Sequence, residues 1–176
     1  MNKQTIILAI LLVSFAVLSR FLPHPVNFAP LGALGLYAGT FFVDKRYWLL
    51  PVVALLLSDA LLGFYHWISM LFVYAGFVFA VIIGRIGPGK KLSAFRFGMA
   101  VFLGANIFFI LSNFGTWLSG TLYPLTLGGL VSCYIAAIPF YGNTLLGDLV
   151  YAGLLFGLHL SAQHFIANKQ TLHNSL

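Results

Sequence analysis

From about residue 5 to residue 166 the chain is a succession of apolar runs, and two of these runs hold an aspartate, Asp59 and Asp148. Runs of this length are what crosses a bilayer, and a carboxylate at that depth costs on the order of 2.5–3.5 kcal/mol on insertion scales. Such a residue faces a polar interior instead of lipid. Only three residues of the chain are acidic, so most of its negative charge is committed to these two positions. Hydrophobic residues make up 61% of the chain and charged ones 7%, with a mean hydropathy of +1.00. A soluble domain carries about 25% charge. The expectation is an all-α integral membrane bundle, one domain over residues 1–176.

Charge, proline and glycine signals divide the apolar runs into six expected transmembrane helices, at about 5–22, 28–43, 47–64, 69–86, 96–118 and 143–166. The second is short for a span that needs roughly 20 residues. The first resembles a signal peptide in having Lys3 ahead of it. It is too long for that, and Arg20-Phe-Leu-Pro-His24-Pro25 is no cleavage site, so it is expected to stay as the first span. The stretch Leu125–Ile138 is also apolar, but it is bracketed by Pro124 and Pro139 and has the length of a re-entrant segment. It is expected to form part of a structured outer loop between helices 5 and 6.

Lysine and arginine set the expected orientation. Lys3, Lys45, Arg46, Arg85, Lys90, Lys91, Arg96 and Lys169 all fall on one side of six alternating spans, and only Arg20 falls on the other. The positive-inside bias then places both termini in the cytoplasm of a multi-pass protein of the bacterial inner membrane. It also explains the net charge of +6 without nucleic acid as a partner. There is no Walker A lysine and no dinucleotide fingerprint. The single cysteine, Cys133, excludes an internal disulfide and a cysteine-based zinc site, and no cofactor or metal is expected. The outward connections, His24–Asn27, Tyr65–Ser69 and Ser119–Gly142, are almost uncharged but rich in histidine, aromatics, proline and glycine.

Depth follows from counting along each helix. Asp59, Asn113 and Asp148 each lie five residues from an expected outer helix end, roughly 7–8 Å below it. Arg20 lies slightly shallower, at a depth where it offsets the two carboxylates. The expected substrate-binding set is therefore a polar base of Arg20, Asp59, Asn113 and Asp148, closed from above by His24, Asn27, His66, Trp67, Tyr123 and Asn143. A structural ion-pair network sealing the bundle would use the same charges. Trp67 and Tyr123 also suit an ordinary interfacial aromatic belt. His159 and His164 fall toward the other end of helix 6 and are expected to be structural.

The segments Asn27-Phe-Ala-Pro-Leu-Gly32-Ala-Leu, Leu57-Ser-Asp59-Ala-Leu-Leu-Gly63-Phe and Cys133-Tyr-Ile-Ala-Ala-Ile-Pro139-Phe-Tyr-Gly-Asn143-Thr-Leu-Leu-Gly147-Asp148 resemble those of a small bacterial membrane family of unknown function. More loosely, the chain is similar to the S components of energy-coupling factor (ECF) vitamin transporters. Those are six-helix proteins of this size whose outward ligand site is capped by loops 1, 3 and 5. The resemblance implies a non-enzymatic membrane subunit that binds a small micronutrient or vitamin, with a cobalamin-like ring among the candidates. It also implies ECF transmembrane and ATPase subunits as partners. That family docks its partner through small residues at four-residue spacing on helix 1; here Ala9, Ser14 and Ala16 lack the spacing. The alternatives are an intramembrane enzyme or an ion-coupled carrier using Asp59 and Asp148, although no nucleophile motif or metal-ligand spacing supports the first.

Overall fold

A computed structural model describes residues 3–88 and 93–174, with side chains to Phe165. Lys90 and Lys91, and the side chain of Lys169, lie outside the described residues. Among those described there are six α-helices and no strand: α1 Lys3–Ser19, α2 Leu31–Phe41, α3 Leu50–Leu62, α4 Trp67–Ile86, α5 Ala94–Leu118 and α6 Leu127–Asn174. A 3-10 turn, Lys45–Leu49, leads into α3. The all-helical expectation holds. Among the described residues three helices, α4, α5 and α6, are long and apolar enough to cross a membrane, while α1, α2 and α3 are shorter than the spans expected for them. The shortfall comes from early stops. α1 gives way at Ser19 to tighter turns, with the Arg20, Phe21 and Leu22 amides bonding three residues back, and α3 ends at Gly63, whose φ of 107° suits glycine.

α2 is the middle of the protein. Its residues from Leu31 to Gly39 are all buried, and it packs on α3, α4, α5 and α6. A helix apolar all round belongs in a core, and its small residues let backbones meet. A methyl group at Gly39 would land on the carbonyl of Val81, and one at Gly84 of α4 on that of Leu36. The Thr40 hydroxyl bridges the two helices by donating to Leu36 O (2.8 Å) and Gly84 O (2.9 Å). Outward, the bundle shows large apolar residues such as Leu11, Leu61, Leu71 and Leu158. In α1 the small residues Ala9 and Ala16 are buried.

The largest departure is α6. The stretch 125–138, expected as a loop, is helical from Leu127 and runs without a break into the expected sixth span. Pro139 removes one backbone donor inside the helix. Packing against α5 offsets that loss: Tyr134 donates to Ile110 O at 2.7 Å, the Cys133 thiol to Asn113 O at 3.4 Å, and the Phe109 ring meets both Tyr134 and Tyr141. The connection between α5 and α6 shrinks to 119–126, with the Trp117 indole fastened to Pro124 O at 3.0 Å.

Candidate functional site

Arg20 is the hinge of the polar layer. Standing just past α1, its Nη1 donates to Asp59 Oδ1 at 2.6 Å and to the Ser58 hydroxyl. Ser58 can accept because its own proton is shared between Ala54 O and Leu55 O, both at 2.9 Å. The second Asp59 oxygen accepts from the Tyr74 hydroxyl at 3.1 Å. Asp59 is 1% exposed and fully engaged. Such a pair is stable only when geometry and extra hydrogen bonds offset desolvation, and here both do.

Asp148 has a different environment. It is 5% exposed, and its carboxylate lies against Gly32 so closely that any Cβ there would overlap it. The Ala33 amide serves it. α2 starts behind Pro30 with no side-chain cap of its own, and the Asp148 carboxylate of α6 stands against its first turn. Free amides and the positive end of the helix dipole favour a carboxylate there. Gly147 makes the approach possible, since the backbone of Phe28 and Ala29 passes directly beside it. Among the described residues the ion pairs are Arg20–Asp59 and Arg46–Asp44, so Asp148 has no described cation within 4 Å. The expected three-charge network is therefore two separate devices.

Between them lies a cavity of about 500 Å³. Its rim is formed by exposed His24, Thr121 and Leu122, and its floor by Leu55, Ala80 and Gly104. Six expected residues line it: Arg20, His24, Asn27, His66, Asn113 and Asp148. Asp59 is behind Arg20 and acts through it. Asn143 is not in the wall; it donates to Val26 O at 3.1 Å and ties the first connection to α6. Trp67 is 66% exposed and, like Tyr123, lies outside the lining. Asn27 holds a φ of 66°, a left-handed turn that asparagine tolerates better than most residues. His66 caps α4, its Nδ1 accepting from the Ile68 amide at 3.3 Å, which leaves the proton on Nε2.

Several lining residues carried no separate signal in the sequence. Ser112 and Thr116 flank Asn113 on α5, and Thr144 stands one turn before Asp148. Their spacing from the recognised polar residues was the clue, but serine and threonine are ordinary in apolar helices. Each donates to its own helix: Ser112 to Phe109 O, Thr116 to Ser112 O and Thr144 to Phe140 O. Asn113 likewise donates through Nδ2 to Phe109 O at 2.7 Å. With their hydroxyl protons so used, Ser112, Thr116 and Thr144 present acceptor lone pairs, while Asn113 keeps one N–H beside its carbonyl oxygen. Tyr65 is the counterpart donor. Loss of water around its hydroxyl, and then the charge of Asp59, push its ionisation above the ordinary value, so it stays a neutral phenol. Among the described residues no three His, Cys, Asp or Glu side chains converge as a metal site. His159 lies away from the cavity, stacked on Phe41 and 2.6 Å from the Tyr37 hydroxyl.

Comparison with known proteins gives a family without an activity. Residues 1–170 match the group described as "Family of unknown function (DUF6580)", and the chain belongs to that family. No curated protein matches it. No solved structure matches it either.

Proposed function

We propose that this is a multi-pass membrane protein that binds a small organic molecule in the cavity beneath His24 and His66, as the substrate-binding subunit of an importer comparable to an ECF S component. The observation that carries the proposal is the cavity itself. It has the volume of a vitamin-sized ligand, mostly apolar walls and a few fixed polar groups, which is the usual make-up of a small-molecule site. α1, α2 and α3 would complete six crossings with the three long helices. α2 is encased by protein, so its 11 residues need not match the bilayer thickness. Lys45 and Arg85 share the Trp48 ring at the end remote from Arg20. By the positive-inside bias that end is cytoplasmic and the cavity opens outward. ECF transmembrane and ATPase subunits would be the partners. With Ala9 and Ala16 buried and only Ser14 of the three exposed, they would dock elsewhere than on a small-residue stripe of α1.

Mass spectrometry of small molecules retained by the purified protein tests the binding function. A recurrent compound is expected, and its release on Asp148→Asn substitution would assign it to the cavity. Orientation is tested by labelling single cysteines in intact cells. Leu122→Cys should react from outside and Arg46→Cys only after the membrane is opened. The reverse pattern would defeat import through this cavity.

A further inference from the structure

The charges around the cavity do not balance, and the imbalance bears on what enters it. This inference rests on the ligand-binding function proposed above and names the class of ligand. The acidic and basic side chains at this end are Arg20, Asp59 and Asp148, with His24 and His66 in the lining above them. Asp59 and Arg20 neutralise each other at 2.6 Å. Asp148 is left with the Ala33 amide and the amino end of α2, which amounts to about half a positive charge. A carboxylate accepts about four hydrogen bonds, and the rest of its capacity faces the cavity it lines. It is 95% removed from solvent by its 5% exposure, a condition in which a carboxylate calls for a donor or a cation.

The α5 and α6 hydroxyls of the wall have the same preference, whereas Tyr65 and the Nε2–H of His66, toward the rim, are donors. Ser112, Thr116 and Thr144 donate their hydroxyl protons to backbone carbonyls and offer lone pairs, while Asn113 offers its carbonyl oxygen and keeps one N–H. Phe77, Phe108, Phe109 and Phe140 line the apolar part, and aromatic faces attract cations. An anion would meet the Asp148 carboxylate and an arginine whose Nη1 is already held by Asp59 and Ser58.

We propose that the cavity selects an organic cation: a protonated or quaternary nitrogen placed against Asp148, carried on a flat apolar body packed by the phenylalanines.

Three probes sharing one body test this: 2-naphthylmethylammonium, 2-naphthalenemethanol and 2-naphthoate. Their binding to the full chain in nanodiscs of zwitterionic lipid is read by fluorescence anisotropy against empty discs. The ammonium is expected to bind at least tenfold more tightly than either of the others. Asp148→Asn, which keeps an acceptor for the Ala33 amide, should lower ammonium binding to the level of the alcohol. Asp44→Asn, in the exposed turn at the far end, should leave it unchanged. If the alcohol or naphthoate binds as well as the ammonium, or if Asp148→Asn keeps the preference, the cation assignment is overturned while the ligand-binding function stands. If none of the three binds and the purified protein carries no small molecule, the ligand-binding function falls as well. The wild-type series decides the matter even if Asp148→Asn does not fold.

Discussion

The two ends of this bundle use α2 in opposite ways. At its carboxyl end, α2 meets α4 backbone to backbone, through Gly39 and Gly84, with Leu36 and Val81 almost wholly excluded from solvent. At its amino end the same helix borders a cavity and receives a carboxylate from α6 where Gly32 leaves room for it. One end excludes everything; the other holds open a space lined with polar groups. The difference teaches that glycine has two uses here, to bring main chains together and to let a functional side chain reach a helix end. Which use applies depends on what stands opposite.

The largest expected effect is on the cavity end. Arg20→Met strands Asp59 in a site 1% exposed, and removing one member of a buried pair costs roughly 3–5 kcal/mol. The double variant Arg20→Met/Asp59→Leu should recover most of that loss, because neither buried charge is then left. Denaturant unfolding in detergent measures both. Equal loss in single and double variants would mean that the arginine acts through packing alone. At the packed end, Gly84→Ala drives a methyl onto the Leu36 carbonyl, and overpacking of this kind costs about 1–3 kcal/mol. Gly153→Ala, with nothing within 4 Å, is the control and should be neutral. If both glycines tolerate alanine equally, the close contact of α2 with α4 is not what holds this end.

Much of this contrast was legible in the sequence, and the gaps have physical causes. Arg20, Asp59 and Asp148 could be singled out because a charge in an apolar run needs a reason. Counting residues brought Asp148 and Asn113 to the same cavity. The count succeeded for Asp148 by position but not by helix boundary, since α6 begins at Leu127 and not near Asn143. Pro139 suggested an end to the helix, and the tertiary contacts of Cys133, Tyr134 and Tyr141 with α5 outweighed it. Likewise nothing local shows that Arg20 pairs with Asp59 while Asp148 stands against the first turn of α2. That choice depends on Pro30 supplying no side-chain cap and on the approach made by Gly147. Trp67 looked like a wall residue because its neighbours are, yet it is the first residue of α4 and turns outward.

A smaller effect separates the wall of the cavity from its fastenings. Asn143→Ala removes the 3.1 Å bond to Val26 O and frees the connection that carries His24 and Asn27. A single hydrogen bond is worth about 0.5–1.5 kcal/mol. Because the residue does not line the cavity, the expected result is faster ligand release with little change in which ligand is preferred. A change in preference would place the Asn143 side chain in the wall after all.

The smallest effect on binding sets one histidine against another. His66 lines the cavity and caps α4 through a bond of 3.3 Å, so His66→Ala removes both a wall contact and a modest cap. One lost hydrogen bond to ligand corresponds to roughly a threefold to tenfold drop in affinity. His159 is packed on Phe41 and bonded to Tyr37 and Gln163, toward the closed end of α2. His159→Ala should lower stability by about 1 kcal/mol, through the hydrogen bonds it makes, and leave affinity where it was. Titrating the retained compound, or the naphthyl ammonium probe, against both variants measures the difference. If His159→Ala weakens binding as much as His66→Ala does, the two ends are coupled through α2, and the division of the helix into a packed half and a binding half does not hold.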